Sequence, residues 1–166
     1  MTVTVRTPRG RTDLPALVRL RLANAERHVR LDPAGYRTPD AGTVRRHFED
    51  VLARGVPSGT LISVAESSGQ VIGMVELIVM PDPPDHQILT PRRDAQVHTV
   101  VLPGHRGEGV GTALLEAAER TAADLGIAHL YAGIFAPNTE AIRFYSAAGF
   151  GSSGVSLRKD LAGRQA

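Results

Sequence analysis

The segment from Val100 to Thr112 (VVLPGHRGEGVGT) constrains this chain more than any other stretch. An apolar run enters a turn holding Gly104, Gly107, Gly109 and Gly111, and that turn opens directly onto an amphipathic stretch. A helix that starts there has backbone N–H groups with no intrahelical partner, and its dipole adds positive potential at the same end. Glycine lets the chain curl and lets a phosphate reach the backbone without meeting a Cβ. The segment reads as a pyrophosphate site, although a turn needing glycine for its shape alone would look the same when taken in isolation. Two common phosphate patterns fail on named residues. Gly104 and Gly109 have the spacing of a nucleotide-triphosphate loop, but Val110 stands where its lysine belongs, and Lys159 is the only lysine in the chain. A dinucleotide fingerprint needs an acid at the end of the next strand, and Ile127 to Phe135 ends without one.

Hydrophobic periodicity places this turn within a mixed α/β order. Val3 and Val5 alternate with polar residues as in a short strand. Thr12-Asp13 starts a helix carrying Leu14, Leu17, Val18, Leu22 and Ala25, and residues 28–38 read as a connection. A second helix is expected from Thr38 as cap and Pro39 at the first helical position to Gly55. Leu61–Glu66 and Val71–Met80 form a hairpin around Ser67-Ser68-Gly69-Gln70, and the proline-rich residues 81–94 form a long loop. Ala95–Leu102 is the next strand. The helix after the glycine turn buries Val110, Leu114, Ala117, Ala118, Thr121 and Leu125, and Gly126 stops it. A strand over Ile127–Phe135, a helix over Asn138–Ala148 and a final strand over Val155–Asp160 complete the order β-α-α-β-β-β-α-β-α-β. This is an α/β (α+β) arrangement, a mixed sheet covered by helices.

Composition narrows the function classes. At 166 residues one domain over 1–166 is the expectation. The absence of cysteine excludes disulfides, thiolate metal sites and a cysteine nucleophile. No apolar run approaches a membrane span and no leader segment is visible, so a soluble, cytoplasmic domain is expected. A net charge of +2 gives no argument for nucleic acid. Its distribution is uneven: residues 1–54 hold 11 of the 19 basic and 6 of the 17 acidic residues. That excess fits solvated helix faces, or a positive surface turned toward an anionic ligand.

The pattern that does fit the turn is Val101-x-Pro103 followed by Arg106-Gly107-x-Gly109-Val110-Gly111. A second pattern follows after one strand: Asn138, Ala141, Phe144, Tyr145, Gly149 and Phe150, in the spacing N-x-x-A-x-x-F-Y-x-x-x-G-F. With both in this order, residues 95–160 resemble the GNAT superfamily of acetyl-CoA-dependent N-acetyltransferases, whose sheet is mostly antiparallel. The resemblance implies that backbone amides of Arg106, Gly107, Gly109, Val110 and Gly111, with the Thr112 hydroxyl, hold the pyrophosphate of acetyl-CoA. It implies that the strand at Val100 and Val101 parts from its neighbour to receive the pantetheine arm, that Asn138 bonds that arm, and that Tyr145 protonates the departing thiolate. Without the resemblance, Tyr145 is an amphipathic core residue and Asn138 a plain helix cap.

The acceptor, a small-molecule or peptide amine, needs a group to remove a proton. On the strand Gln96-Val97-His98-Thr99 only His98 is titratable. Relatives often carry glutamate at the position of Val97, so a bulge there would be needed to turn His98 into the cleft. Glu76, alone within an apolar run, is the second candidate base, either outward-facing or purposeful. His28, Tyr36, Arg37 and His86 are expected to border the acceptor. The short tail after Phe150 leaves that side open, with a second copy of the chain as one candidate cover. No metal is implied. The competing function is a non-catalytic acyl-CoA-binding or sensing domain of the same fold.

Overall fold

The hairpin predicted at Ser67-Ser68-Gly69-Gln70 is the two-residue kind. Ser68 and Gly69 take φ of 49° and 76°, which matches the twist of the strands they join. Those strands are the centre of the sheet. The structure, a computed structural model, describes residues 2–161. Its elements are β1 (Thr4–Arg6), α1 (Gly10–Leu31), α2 (Ala41–Arg54), β2 (Thr60–Ser67), β3 (Gln70–Val79), β4 (Asp94–Val101), α3 (Val110–Asp124), β5 (His129–Tyr131) and α4 (Thr139–Ala147). The sheet runs β1-β2-β3-β4-β5, antiparallel through β4 and parallel between β4 and β5.

Both faces of the sheet are covered by apolar clusters. Leu14, Leu17 and Leu20 of α1 and Phe48 of α2 pack on Val64 and Met74. Leu114, Leu115 and Ala118 of α3 pack on Ile72, Val75 and Val97. Strand alternation therefore assigns β4 cleanly: Val97, Thr99 and Val101 face α3, while Gln96, His98 and Val100 face α1. At Gly73 a Cβ would stand 2.9 Å from Leu114 Cδ1, so the missing side chain lets α3 lie close on the strand.

Several boundaries differ from expectation for local reasons. Helix α1 runs on to Leu31, because nothing before Pro33 interrupts it. Asp40, not Thr38, caps α2, with its Oδ1 accepting from Thr43 N–H at 2.8 Å, so Pro39 lies outside the helix. The buried stripe of α3 takes in Leu115 and Ala122, leaving Ala117, Thr121 and Leu125 half-buried. Only His129–Tyr131 of the expected Ile127–Phe135 strand is laddered. The final strand at Val155–Asp160 does not form: residues 151–161 carry no regular structure, and Val155 and Leu157 are exposed. The Gly-Ser-Ser-Gly segment detaches this run from any strand edge, and alternation without a partner makes no strand. The order therefore lacks its terminal β. Among the described residues no helix is long and apolar enough to cross a membrane.

A buried ionic knot ties β1 to α1 and β2. The Arg6 guanidinium donates to Asp13 at 2.6 Å and to Glu66 at 2.9 Å, and Arg9 N–H also donates to Asp13 at 2.6 Å. Arg6 first, then the Arg9 amide, holds the Asp13 carboxyl below the usual carboxylate range against the cost of burial. A depressed folded-state pKa contributes stability above the unfolded value of about 4 and loses it as pH falls through the folded value. Asp13→Asn is expected to destabilise by about 2–3 kcal/mol at neutral pH. In urea melts from pH 7 down to pH 2, the gap from wild type should close below about pH 4; a gap constant with pH would refute the ionic origin.

Candidate active site

β4 and β5 pair only from Asp94–His129 to Gln96–Tyr131 and then part. In an antiparallel ladder successive residues turn their N–H and C=O groups to opposite sides. Leu102 N–H bonds back to Ile72 O on the β3 side at 2.9 Å. Thr99 N–H and Val101 C=O point the other way, into the gap, where they meet Tyr145 and Arg106. By the same alternation the Val100 amide belongs to β3 and its side chain faces α1, so Val100 lines the cleft without offering it an amide. The gap opens into a cleft of about 450 Å³ between β4, the glycine turn, α4 and two α1 side chains, Asn24 and Arg27.

The floor of this cleft is the turn. Gly107 and Gly109 take φ of 78° and 79°, a left-handed backbone that a side chain would strain. Gly109 is the cap of α3, and no side chain caps that helix; Gly107, Gly109, Gly111 and Thr112 line the cleft, while Val110 is buried in the core and does not. Gly111 has another reason to be glycine. Its Cβ would stand 3.1 Å from the Phe144 ring, so the two sequence patterns interlock here. Gly104 lacks both requirements. Arg106, Arg27 and Glu140 share the mouth. Arg27 donates to Glu140 at 2.8 Å and Arg106 lies 3.8 Å from its other oxygen. Desolvation, then repulsion from Arg27, lowers the Arg106 pKa from its ordinary value.

Tyr145 stands at the apex of the gap. Its ring is buried between Phe144 and Phe150, with centroids at 4.9 and 5.2 Å, and it is only 7% exposed. Its hydroxyl accepts the Thr99 N–H and donates to Thr99 Oγ1, each at 3.2 Å. Burial raises the phenol pKa, with both Thr99 contacts opposing, so the proton is held at neutral pH. Asn138 caps α4: its Oδ1 accepts from Ala141 N–H at 3.3 Å and from Arg27 at 2.9 Å, leaving the amide nitrogen to donate.

The two candidate bases lie together on the opposite face of the sheet. Glu76 and His98 are register partners on β3 and β4, and the register is unbroken. No bulge is present: Val97 is buried under α3, and its neighbour His98 faces α1, so neither His98 nor Glu76 is among the residues lining the cleft. Glu76 is 2% exposed, and both its oxygens accept from Arg21 Nη2 at 2.7 and 2.6 Å. Its carboxylate is thus committed to a cation, with His98 Nδ1 3.9 Å away. The His98 side chain is 40% exposed and reachable. Of the acceptor-side candidates, His28 and Tyr36 come together with Phe135 in an aromatic cluster, with centroids at 5.0 and 5.2 Å. Arg37 is exposed, and His86 sits in the loop after β3 beside Gln87. Among the described residues no cluster suited to a metal ion is found.

Arg21, Asn24, Arg27 and Thr99 were not singled out by sequence. The basic excess of the N-terminal third was the available signal, since Arg21 and Arg27 belong to it, but only the placement of α1 selects these two arginines.

Residues 24–150 match the model of the acetyltransferase (GNAT) family. An uncharacterized N-acetyltransferase of Mycobacterium tuberculosis (strain ATCC 25618 / H37Rv) is 32% identical over 95 residues, 57% of this chain and 54% of the relative. The match thus spans about half the length of the curated relatives. Among solved structures, a transcriptional regulator from Bacillus halodurans C-125 superposes with a TM-score of 0.73 at 20% identity, covering 96% of this chain and all of that one. An aminoglycoside N-acetyltransferase in complex with CoA superposes with a TM-score of 0.70 at 18% identity, covering 96% and 94%. At such identities the likeness is one of fold. Fold, motif order and the family match agree, and the chain belongs to the GNAT family of acetyltransferases.

Proposed function

We propose that this chain transfers an acetyl group from acetyl-CoA to a primary amine, by direct attack within a ternary complex. The observation that carries the reading is the parting of β4 from β5 with the Tyr145 hydroxyl at its apex, directly beside the uncapped start of α3. The amides of the turn and of α3's first residues suit a diphosphate, because they are unpaired donors at the positive end of a helix dipole. Arg27 and Arg106 add charge at the mouth. Beyond Gln96 the edge of β4 has no strand beside it, and an amide-bearing arm that displaced the Tyr145 and Arg106 contacts on Thr99 N–H and Val101 C=O would pair with it; Asn138 lines the same cleft. The bound coenzyme supplies an activated acetyl thioester. Tyr145 supplies the proton that the departing sulfur requires, and an outward N–H of β4 stabilises charge on the carbonyl oxygen.

The amine's proton goes to His98, directly or through water. Glu76 fits the role of base poorly because Arg21 occupies both its oxygens; it serves as the anion that His98 faces. Tyr145 and His98 lie on opposite faces of β4. One protein of the same fold is an aminoglycoside N-acetyltransferase, which supports an amine here without specifying which one.

Tyr145→Phe should lower kcat by about 100-fold and leave the CoA dissociation constant within about twofold, since the hydroxyl acts on the sulfur as it leaves. Thiol release against an amine panel and calorimetry with CoA read the two quantities. Unchanged turnover would remove the acid role. His98→Gln should lower kcat/KM by about 10- to 100-fold at neutral pH, with the deficit shrinking as pH rises and more acceptor arrives deprotonated. A deficit independent of pH would remove His98 as base. Saturable CoA binding with no thiol release from any amine would favour the acyl-CoA-binding reading instead.

A further inference from the structure

Glu140 occupies an unusual position for an acidic residue. It lies in the first turn of α4, on the wall of a cleft whose other charged groups are arginines. Arg27 crosses from α1 and donates through Nη2 to both Asn138 Oδ1 at 2.9 Å and Glu140 Oε2 at 2.8 Å. Arg106 comes from the glycine turn to within 3.8 Å of Glu140 Oε1. One carboxylate is thus bracketed by two guanidiniums from separate elements. The guanidiniums repel each other, and Arg30 adds to the positive field on Arg106. The Arg27 and Arg106 side chains are 19% and 34% exposed, and that of Glu140 is 54% exposed.

We propose that Glu140 is a built-in anion of the phosphate site: it neutralises Arg27 and Arg106, and it competes with the phosphates of CoA for the same two guanidiniums. The inference rests on the cofactor reading above, and it adds a residue that sets affinity by opposing the ligand. A guanidinium already paired with a carboxylate has fewer free N–H donors and less uncompensated charge to offer a phosphate. Phosphate groups that reach Arg27 and Arg106 must displace the carboxylate or lie against its charge, and either weakens binding. The arrangement keeps the arginine pair tolerable when no phosphate is present, and it gives the spent coenzyme a competitor that favours its departure.

Glu140→Gln should tighten CoA about threefold to fivefold by calorimetry at low ionic strength, with the gain fading as salt rises. In the absence of CoA the variant should melt below wild type, and at saturating CoA the difference should vanish or reverse. A carboxylate that merely favoured the α4 N-terminus would lower both melts equally and leave the affinity alone. Glu116→Gln on α3 makes the same change in net charge outside the cleft and should leave CoA affinity unchanged. Adding Arg27→Gln to Glu140→Gln should abolish the gain. If wild type shows no saturable heat with CoA, the cofactor reading itself fails. If wild type binds and Glu140→Gln binds equally or more weakly, the competitor role alone is overturned.

Discussion

The parting of β4 from β5 is the constraint on which the site depends. A parallel strand pair normally continues until one strand ends, because each further residue satisfies backbone donors and acceptors. Here β5 stops at Tyr131 while β4 runs five residues beyond the last laddered position, Gln96. The exposed edge is tolerable because side chains from elsewhere take part of it. The Tyr145 hydroxyl receives the Thr99 N–H, and Arg106 donates to Val101 O at 3.4 Å. Both capping groups come from the two sequence patterns that mark the family. The same residues that stabilise the split edge are therefore already positioned in the cleft it creates.

The opposite face of β4 solves a different electrostatic problem. A carboxylate as buried as Glu76 would be expensive alone, and Arg21 makes it bearable with two short contacts. Arg21 is anchored in turn, with its guanidinium 5.5 Å from the Phe48 ring centroid. This fixes α1, α2 and β3 relative to one another through a charged pair, and it places the anion directly opposite His98 in the ladder. The histidine therefore has the Glu76 carboxyl group behind it, 3.9 Å from Nδ1, and a side chain that is 40% exposed. The arrangement follows from register alone, and a bulge at Val97 would have destroyed it by sending His98 toward α3.

What the sequence revealed and what it hid divide along range of interaction. The glycine turn, the α3 start and the α4 cap are local, so their residues were legible one by one: Gly107 and Gly109 announce left-handed backbone, and Asn138 precedes its helix. The antiparallel core was legible because alternation and a two-residue turn leave little choice of register. The α2 cap was misplaced by two residues because Thr38-Pro39 and Asp40 are both good start signals, and only the bond to Thr43 N–H separates them. Val155 and Leu157 alternate like a strand, yet β5, the edge beside which they could pair, is only three residues long, and the run stays irregular. Arg27 was invisible for the opposite reason. Its partner Asn138 is 111 residues away, and nothing in an arginine-rich helix distinguishes the one arginine that crosses the cleft.

The pairing of the two family patterns has a mechanical basis as well as a chemical one. Gly111 lies in the first turn of α3, and the space of its missing side chain is filled by the Phe144 ring. Phe144 packs edge-on against Tyr145, whose hydroxyl reaches Thr99. A rigid chain of contacts thus runs from the helix start that would face the phosphates, through two aromatic rings, to the hydroxyl that would face the sulfur. Close-packed interiors transmit displacement instead of absorbing it. A methyl group at position 111 would push Phe144, and Phe144 would carry Tyr145 away from the edge of β4. The start of α3 and the Tyr145 ring are thus linked through one packing contact, Gly111 against Phe144.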